Sequence, residues 1–263
     1  MTQWSVLLLT EFFGTALLII LGNGIVANVV LKGTKGNNAG WLSITFGWGF
    51  AVTVAALISS AFIGGKGWLN PAVMVGASIA DWKGTWGMVD SAGAQVGLFI
   101  GVLIIQLIGA AVGQIIIDLL YYKHIELTLK GKEDFTVAKG NVLGMHATGA
   151  TTKSIVANFA MEFVGTFILI FAILALPKFS ALNKDIIGGL GPVIVGIVVI
   201  SIGLSLGGTT GYAINPARDL GPRIVHALMP IKNKGQSDWE YAWIPVAAPL
   251  VGGAAAGLIW LAM

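Results

Sequence analysis

Asn70-Pro71-Ala72, preceded by Gly67-Trp68-Leu69, returns later in the chain as Asn215-Pro216-Ala217, preceded by Gly211-Tyr212-Ala213-Ile214. Proline is favoured at the first position of a helix, because the N–H it lacks would have no partner there. Asn is a preferred N-cap. Each tripeptide therefore starts a helix. The apolar runs that follow are short, spanning 69–80 and 214–228. At about 1.5 Å per residue they reach roughly halfway across a hydrocarbon core about 30 Å thick.

The rest of the chain supplies that core. Of 263 residues, 56% are hydrophobic and 10% are charged, against about 25% charged in soluble domains. A bilayer is the solvent such a chain needs. Six stretches meet the need for about 20 apolar residues per span: roughly 5–30, 41–63, 93–121, 155–176, 187–206 and 240–262. Each short helix follows the second span of its half and reads as a re-entrant half-helix. The 37 glycines suit close helix packing. The absence of cysteine excludes disulfides and thiolate metal sites. Scattered lysines argue against a nucleic-acid surface. Met1 to Thr10 reads as the start of a retained span rather than a cleaved leader.

The polar connection 122–153 carries Lys123, Glu126, Lys130, Lys132, Glu133, Asp134 and Lys139, and it divides the chain into two halves of three spans. The halves repeat one another. Glu11-Phe12-Phe13-Gly14-Thr15 opens the first span as Glu162-Phe163-Val164-Gly165-Thr166 opens the fourth. An odd number of spans per half forces opposite orientations. The fold expected is an all-α membrane protein: six transmembrane helices plus two re-entrant half-helices in an inverted 3+3 repeat. It forms a single domain over 1–263, with a first repeat about 5–121, a connecting loop about 122–153 and a second repeat about 154–262. Paired broken segments in inverted repeats mark a transport site.

Inversion points both half-helix N-termini at the membrane midplane. Their positive dipole ends repel cations and protons, while the Asn70 and Asn215 amides offer N–H donors to a passing oxygen. Unwound backbone before each Asn is tolerated at that depth only along a cavity. The chemistry is conduction of neutral molecules with exclusion of ions. Nothing in the sequence forms a nucleophile–base set, a metal cluster or a phosphate loop, so no enzyme is expected.

These residues resemble those of the aquaporin family (major intrinsic proteins), over nearly the whole chain. The stretch Gly211 to Arg223, with Asp219 directly after Arg218, is similar to the glycerol facilitator (aquaglyceroporin) branch, as is Pro245-Val246 in the last span. The resemblance implies a selectivity filter of Arg218, Tyr212, Gly203 and an aromatic residue of the second span. That aromatic is Trp48 if the loop at 62–69 holds two extra residues, and Phe50 otherwise. Gly203 is expected to leave width in the filter. Tyr212 stands where Phe is usual, and its hydroxyl should make the filter narrower and more polar. The backbone carbonyls of Gly67, Trp68, Gly211 and Ala213 are expected to line the pore, and Glu11 and Glu162 to hold the re-entrant loops. The implied function is passive diffusion of glycerol, other small neutral solutes and water. The alternatives are a main solute such as protonated lactic acid, dihydroxyacetone or urea, a water-selective channel, or a proton-coupled transporter. The resemblance further implies a homotetramer in the lipid bilayer of the cell membrane, with no cofactor and both termini cytoplasmic. That topology leaves the lysines of 122–153 outside, against the positive-inside bias.

Several residues depart from the pattern or stand outside it. Trp68 occupies a place where the family usually has His, and its ring is expected to alter the inner vestibule. The connection 81–92 is longer than usual. It reads as a cap, a gate or a longer loop, with the loop favoured because surface insertions cost little. Gln106 is expected to bond another helix or a loop, and Asp118 to sit at the interface. His124, His146 and His226 lack metal-ligand spacing, and the first two read as solvated loop histidines.

Overall fold

The computed structural model describes residues 1–130, 135–179 and 184–263, with residues 179 and 184–188 as backbone. Ten helices form over these residues: α1 (Gln3–Val30), α2 (Gly40–Ser60), α3 (Pro71–Ala80), α4 (Trp82–Trp86), α5 (Ala92–Lys130), α6 (Phe135–Gly144), α7 (Ile155–Phe179), α8 (Lys184–Ser205), α9 (Pro216–Leu228) and α10 (Ile244–Leu261). Five of them, α1, α2, α5, α7 and α10, are long and apolar enough to cross a membrane. The apolar stretch of α8, Gly189–Ser205, is shorter. The short helices α3 and α9 start at Pro71 and Pro216, as the sequence predicts.

Helix packing follows the internal repeat. Helix α1 packs on α2 and α5, as α7 packs on α8 and α10. Each half-helix lies against the last long helix of the other half, α3 on α10 and α9 on α5. The halves also meet where α2 crosses α8, at Gly49 and Gly196. A Cβ on Gly49 would lie 2.8 Å from the Gly196 carbonyl oxygen, and one on Gly196 would lie 2.6 Å from that of Gly49. Only glycine permits backbones this close, which is the usual way membrane helices gain packing without a hydrophobic drive. Equivalent close approaches join Gly109 to the Phe12 carbonyl and Gly252 to that of Phe163.

Two connections differ from expectation. Helix α5 does not stop at residue 121 but continues to Lys130. In its last turns Ile125 and Leu129 are buried, while Glu126 accepts from Tyr122 and pairs with Lys123 at 3.3 Å and Lys130 at 3.7 Å. Such one-turn spacings support an amphipathic helix beyond the apolar span. Lys132, Glu133 and Asp134 lie outside the described residues. The second connection, 81–92, is not a plain longer loop. Asp81 caps α4 by accepting from Gly84 N–H at 2.8 Å. Trp86 is then fully buried, packs on Trp68 and Phe99, and donates its indole N–H to Ser78 Oγ at 2.9 Å. An indole buried with its N–H satisfied anchors the segment.

Candidate functional site

Asn70 and Asn215 organise the centre of the molecule. Asn70 caps α3 by accepting from Ala72 N–H at 2.8 Å, and Asn215 caps α9 by accepting from Ala217 N–H at 3.0 Å and Arg218 N–H at 3.2 Å. Each side-chain oxygen is thus committed to its own helix. Each amide nitrogen reaches across the repeat: Asn70 Nδ2 donates to the Ile214 carbonyl and Asn215 Nδ2 to the Leu69 carbonyl, both at 2.8 Å. An amide NH2 carries two donors, so each Asn retains one after the cross-tie, and both residues line a cavity of about 280 Å3. The two helix N-termini meet there.

The cross-ties require unusual backbone. Leu69 (φ 54°) and Ile214 (φ 43°) both occupy the left-handed region, which costs about 1–3 kcal/mol per non-glycine residue. Two buried carboxylates offset this. Glu11 accepts from Trp68 N–H at 2.9 Å and Leu69 N–H at 2.8 Å; Glu162 accepts from Ala213 N–H at 2.9 Å and Ile214 N–H at 2.8 Å. Gln106 adds a donor to Glu11 at 2.7 Å. Glu11 and Glu162 thus each bind two N–H groups of a re-entrant loop, and Gln106 is a helix-to-helix bond that joins α5 to Glu11 of α1. Gly67, Trp68 and Ala213 line the cavity, but Gly211 is not among its lining residues.

Trp48 and Arg218 lie together. The guanidinium carbon sits 4.0 Å from the centre of the indole, a cation–π contact. Phe50 is 60% exposed on the outer face of α2, whereas Trp48 is buried on the cavity. Arg218 Nη1 and Trp48 Nε1 are buried without hydrogen-bond partners, so the cavity wall offers unused donors. The remaining wall is apolar, with Leu18, Val52, Val73, Leu169, Val195 and Val199.

Gly203 departs from expectation. It leaves no open width: a Cβ there would lie 2.7 Å from Tyr212 Cζ and 2.6 Å from Thr45 Cγ2. The Tyr212 ring fills the space, so Gly203 acts by admitting that ring. The Tyr212 hydroxyl is buried and unpartnered.

Asp219 is the centre of a network the sequence did not reveal. It pairs with Arg223 (Nε–Oδ1 2.8 Å, Nη2–Oδ2 3.0 Å) and accepts from Thr148 N–H at 2.8 Å and Thr148 Oγ1 at 2.6 Å. Arg223 Nη2 donates in turn to the Thr148 carbonyl at 2.7 Å. The segment after α6 is therefore clamped onto α9. An Asp and an Arg one turn apart in a half-helix set within the membrane were a readable signal. Nothing local pointed to Thr148.

Asp118 and His146 require correction as well. Both are buried, with His146 Nε2 3.0 Å from Asp118 Oδ1 and His146 Nδ1 2.7 Å from the Val142 carbonyl oxygen. The His146 ring meets that of His226 edge-on at 4.9 Å. Neither Asp118 at an interface nor His146 in solvent describes these residues. His124 is half-buried, with Nδ1 2.9 Å from the Lys32 carbonyl oxygen. Among the described residues no cluster suited to a metal ion occurs.

Comparison with known proteins places this geometry. Residues 2–260 match the Major intrinsic protein family. The chain is 47% identical to glycerol uptake facilitator protein 3 of Lactiplantibacillus plantarum over 253 residues, covering 96% of this chain and 95% of that protein. It is 44% identical to the glycerol uptake facilitator protein of Streptococcus pneumoniae serotype 4 over 250 residues, covering 95% and 96%. The X-ray structure of the aquaglyceroporin from Plasmodium falciparum superposes with a TM-score of 0.74 at 28% identity, covering 98% of this chain and 95% of that one. With half-helices, crossed asparagines and sequence all in agreement, this chain belongs to the major intrinsic protein family.

Proposed function

We propose that this protein is a passive membrane channel through which glycerol, other small neutral solutes and water diffuse while ions and protons are excluded. It is a conduit and not an enzyme. The observation that carries the reading is the meeting of two helix N-termini at Asn70 and Asn215 on one cavity. Positive dipole ends and the adjacent Arg218 oppose a cation there. The remaining amide N–H of each Asn donates to a hydroxyl oxygen. The names of the bacterial relatives, glycerol uptake facilitators, support glycerol as the solute.

In this reading Asn70 and Asn215 form the pore midplane. Trp48, Gly203, Tyr212 and Arg218 form the selectivity filter, with apolar rings for a CH face and Arg218 for the hydroxyls. The carbonyls of Gly67, Trp68 and Ala213 accept hydrogen bonds from solute hydroxyls along the wall. The chain works as one channel domain in a homotetramer in the cell membrane, with both termini cytoplasmic.

The test is a stopped-flow panel on proteoliposomes with water, glycerol, dihydroxyacetone, urea and lactic acid at several pH values. Glycerol flux well above that of empty liposomes, without proton leak, is the expected result. Water flux alone would make this a water-selective channel. Solute flux driven by an imposed proton gradient, at a constant neutral fraction of solute, would make it a coupled transporter.

A further inference from the structure

Tyr212 lies on the cavity, buried in the apolar core and with few hydrogen bonds of its own to orient it. Its backbone is in the left-handed region (φ 37°), its hydroxyl has no partner, and its N–H reaches only Thr210 Oγ1 at 3.3 Å. The ring rests on a shelf made by Gly203 of α8 and Gly207 of the turn that follows it. A Cβ on Gly203 would lie 2.7 Å from Tyr212 Cζ, and one on Gly207 would lie 2.4 Å from Tyr212 Cδ1. A shelf of glycine restrains a ring on one side only.

Trp41, in the first turn of α2, closes the arrangement. Its ring meets that of Tyr212 edge-on, with centroids 5.7 Å apart and planes at 80°. Its Nε1 donates to the carbonyl oxygen of Gly203 at 3.0 Å. A Cβ on Gly207 would lie 2.8 Å from Trp41 Cζ2, so the indole sits against the same shelf as the tyrosine. Thr45, one turn further along α2, is tied to Trp41 through its Oγ1, which donates to the Trp41 carbonyl at 2.9 Å. The indole therefore touches both the ring and the shelf on which the ring lies.

We infer that Trp41 is a positioning residue for solute selection, its indole fixing where the Tyr212 ring stands and so how broad a solute the cavity admits. The inference rests on the reading of Tyr212 as part of the filter. Trp41 is 39% exposed, which also suits an aromatic anchor at the membrane interface. The two roles separate in experiment, because an anchor affects insertion and yield and leaves the discrimination between polyols of different breadth unchanged.

The experiment compares the full-length protein with Trp41→Phe, Trp41→Ala and Tyr212→Ala in proteoliposomes, by stopped-flow light scattering with water, glycerol, erythritol and xylitol. Trp41→Phe keeps a ring edge for Tyr212 and removes the donor to Gly203; Trp41→Ala removes both. The expected result is a rise in the erythritol-to-glycerol permeability ratio of about threefold or more in Trp41→Ala, the factor that one lost hydrogen bond carries, with Trp41→Phe between it and the unmodified protein. If Trp41→Ala does not fold, Trp41→Phe decides alone: a raised ratio supports the inference and an unchanged one overturns it. Unchanged ratios in the Trp41 variants beside a raised ratio in Tyr212→Ala sink the inference and leave the filter intact. Unchanged ratios in all three variants remove Tyr212 from the filter and the inference with it.

Discussion

Leu69 and Asn215 are joined by a hydrogen bond of 2.8 Å from the asparagine amide to the leucine carbonyl, although they belong to opposite halves of the chain. The equivalent bond of the other repeat joins Asn70 to Ile214. The centre of the molecule is a pair of strained carbonyls, each held by the helix cap of the other half.

Replacing Asn215 by Asp leaves the cap oxygen and removes the amide donor. A carboxylate oxygen then faces the Leu69 carbonyl, and the site gains a negative charge near two helix N-termini. Glycerol flux in Asn215→Asp proteoliposomes should fall by about tenfold or more, corresponding to about 1.4 kcal/mol or more on the barrier. Unimpaired flux would remove Asn215 from the conduction path.

Glu162→Gln keeps the shape of the side chain and exchanges one acceptor for a donor. Either Ala213 N–H or Ile214 N–H then faces another N–H in a buried place. Such a buried unsatisfied donor costs about 1–3 kcal/mol, so the midpoint of thermal unfolding in detergent should drop by several degrees. An equal midpoint would show that the loop holds its left-handed turn without the carboxylate.

Tyr212→Phe removes a buried hydroxyl that has no partner. Loss of an unpaired buried polar group is neutral or stabilising, so thermal stability should stay equal or rise. Glycerol permeability should rise slightly relative to water. A marked loss of stability would mean that the hydroxyl is bonded in the membrane.

Asp219 and Arg223 predict a non-additive pair. Asp219→Asn or Arg223→Met alone strands a buried charge, which costs about 3–5 kcal/mol. The double variant removes both charges and should unfold at a higher temperature than either single one. Additive losses would show that the two residues stabilise the Thr148 segment independently.

Arg218→Val deletes the cation from the Trp48 face and empties volume beside the cavity. Polyol discrimination should weaken, and ion leak across planar bilayers should rise above that of the unmodified protein. Unchanged selectivity would move the filter elsewhere.

The half-helices and their supporting carboxylates were legible because the repeat states each of them twice: Asn70 with Asn215, Glu11 with Glu162. Proline at the first helical position and Asn before it also have local causes, readable without tertiary context. The features that escaped have one copy and distant partners. His146 sits in a polar connection and gives no sign that it packs against Asp118. Trp86 lies in a segment that reads as an insertion, and the Trp68 and Phe99 rings that cover it are not adjacent to it in sequence. Gly203 reads as leaving width in the filter, and nothing in its spacing says that a tyrosine ring fills the vacancy. Trp48 was separated from Phe50 by the register of α2, which turns one indole inward and leaves the phenyl ring outside.

The crossed asparagine bonds bear on how the protein is made. A ribosome delivers the first three spans and their re-entrant loop long before Asn215 exists, so the Leu69 carbonyl waits in the membrane without its donor. The early half is a provisional structure, its broken segment incomplete until the part of the polypeptide that carries Asn215 arrives. Truncation after the third span should therefore yield a product that is inserted yet degraded quickly, and co-expression of the missing half should rescue it.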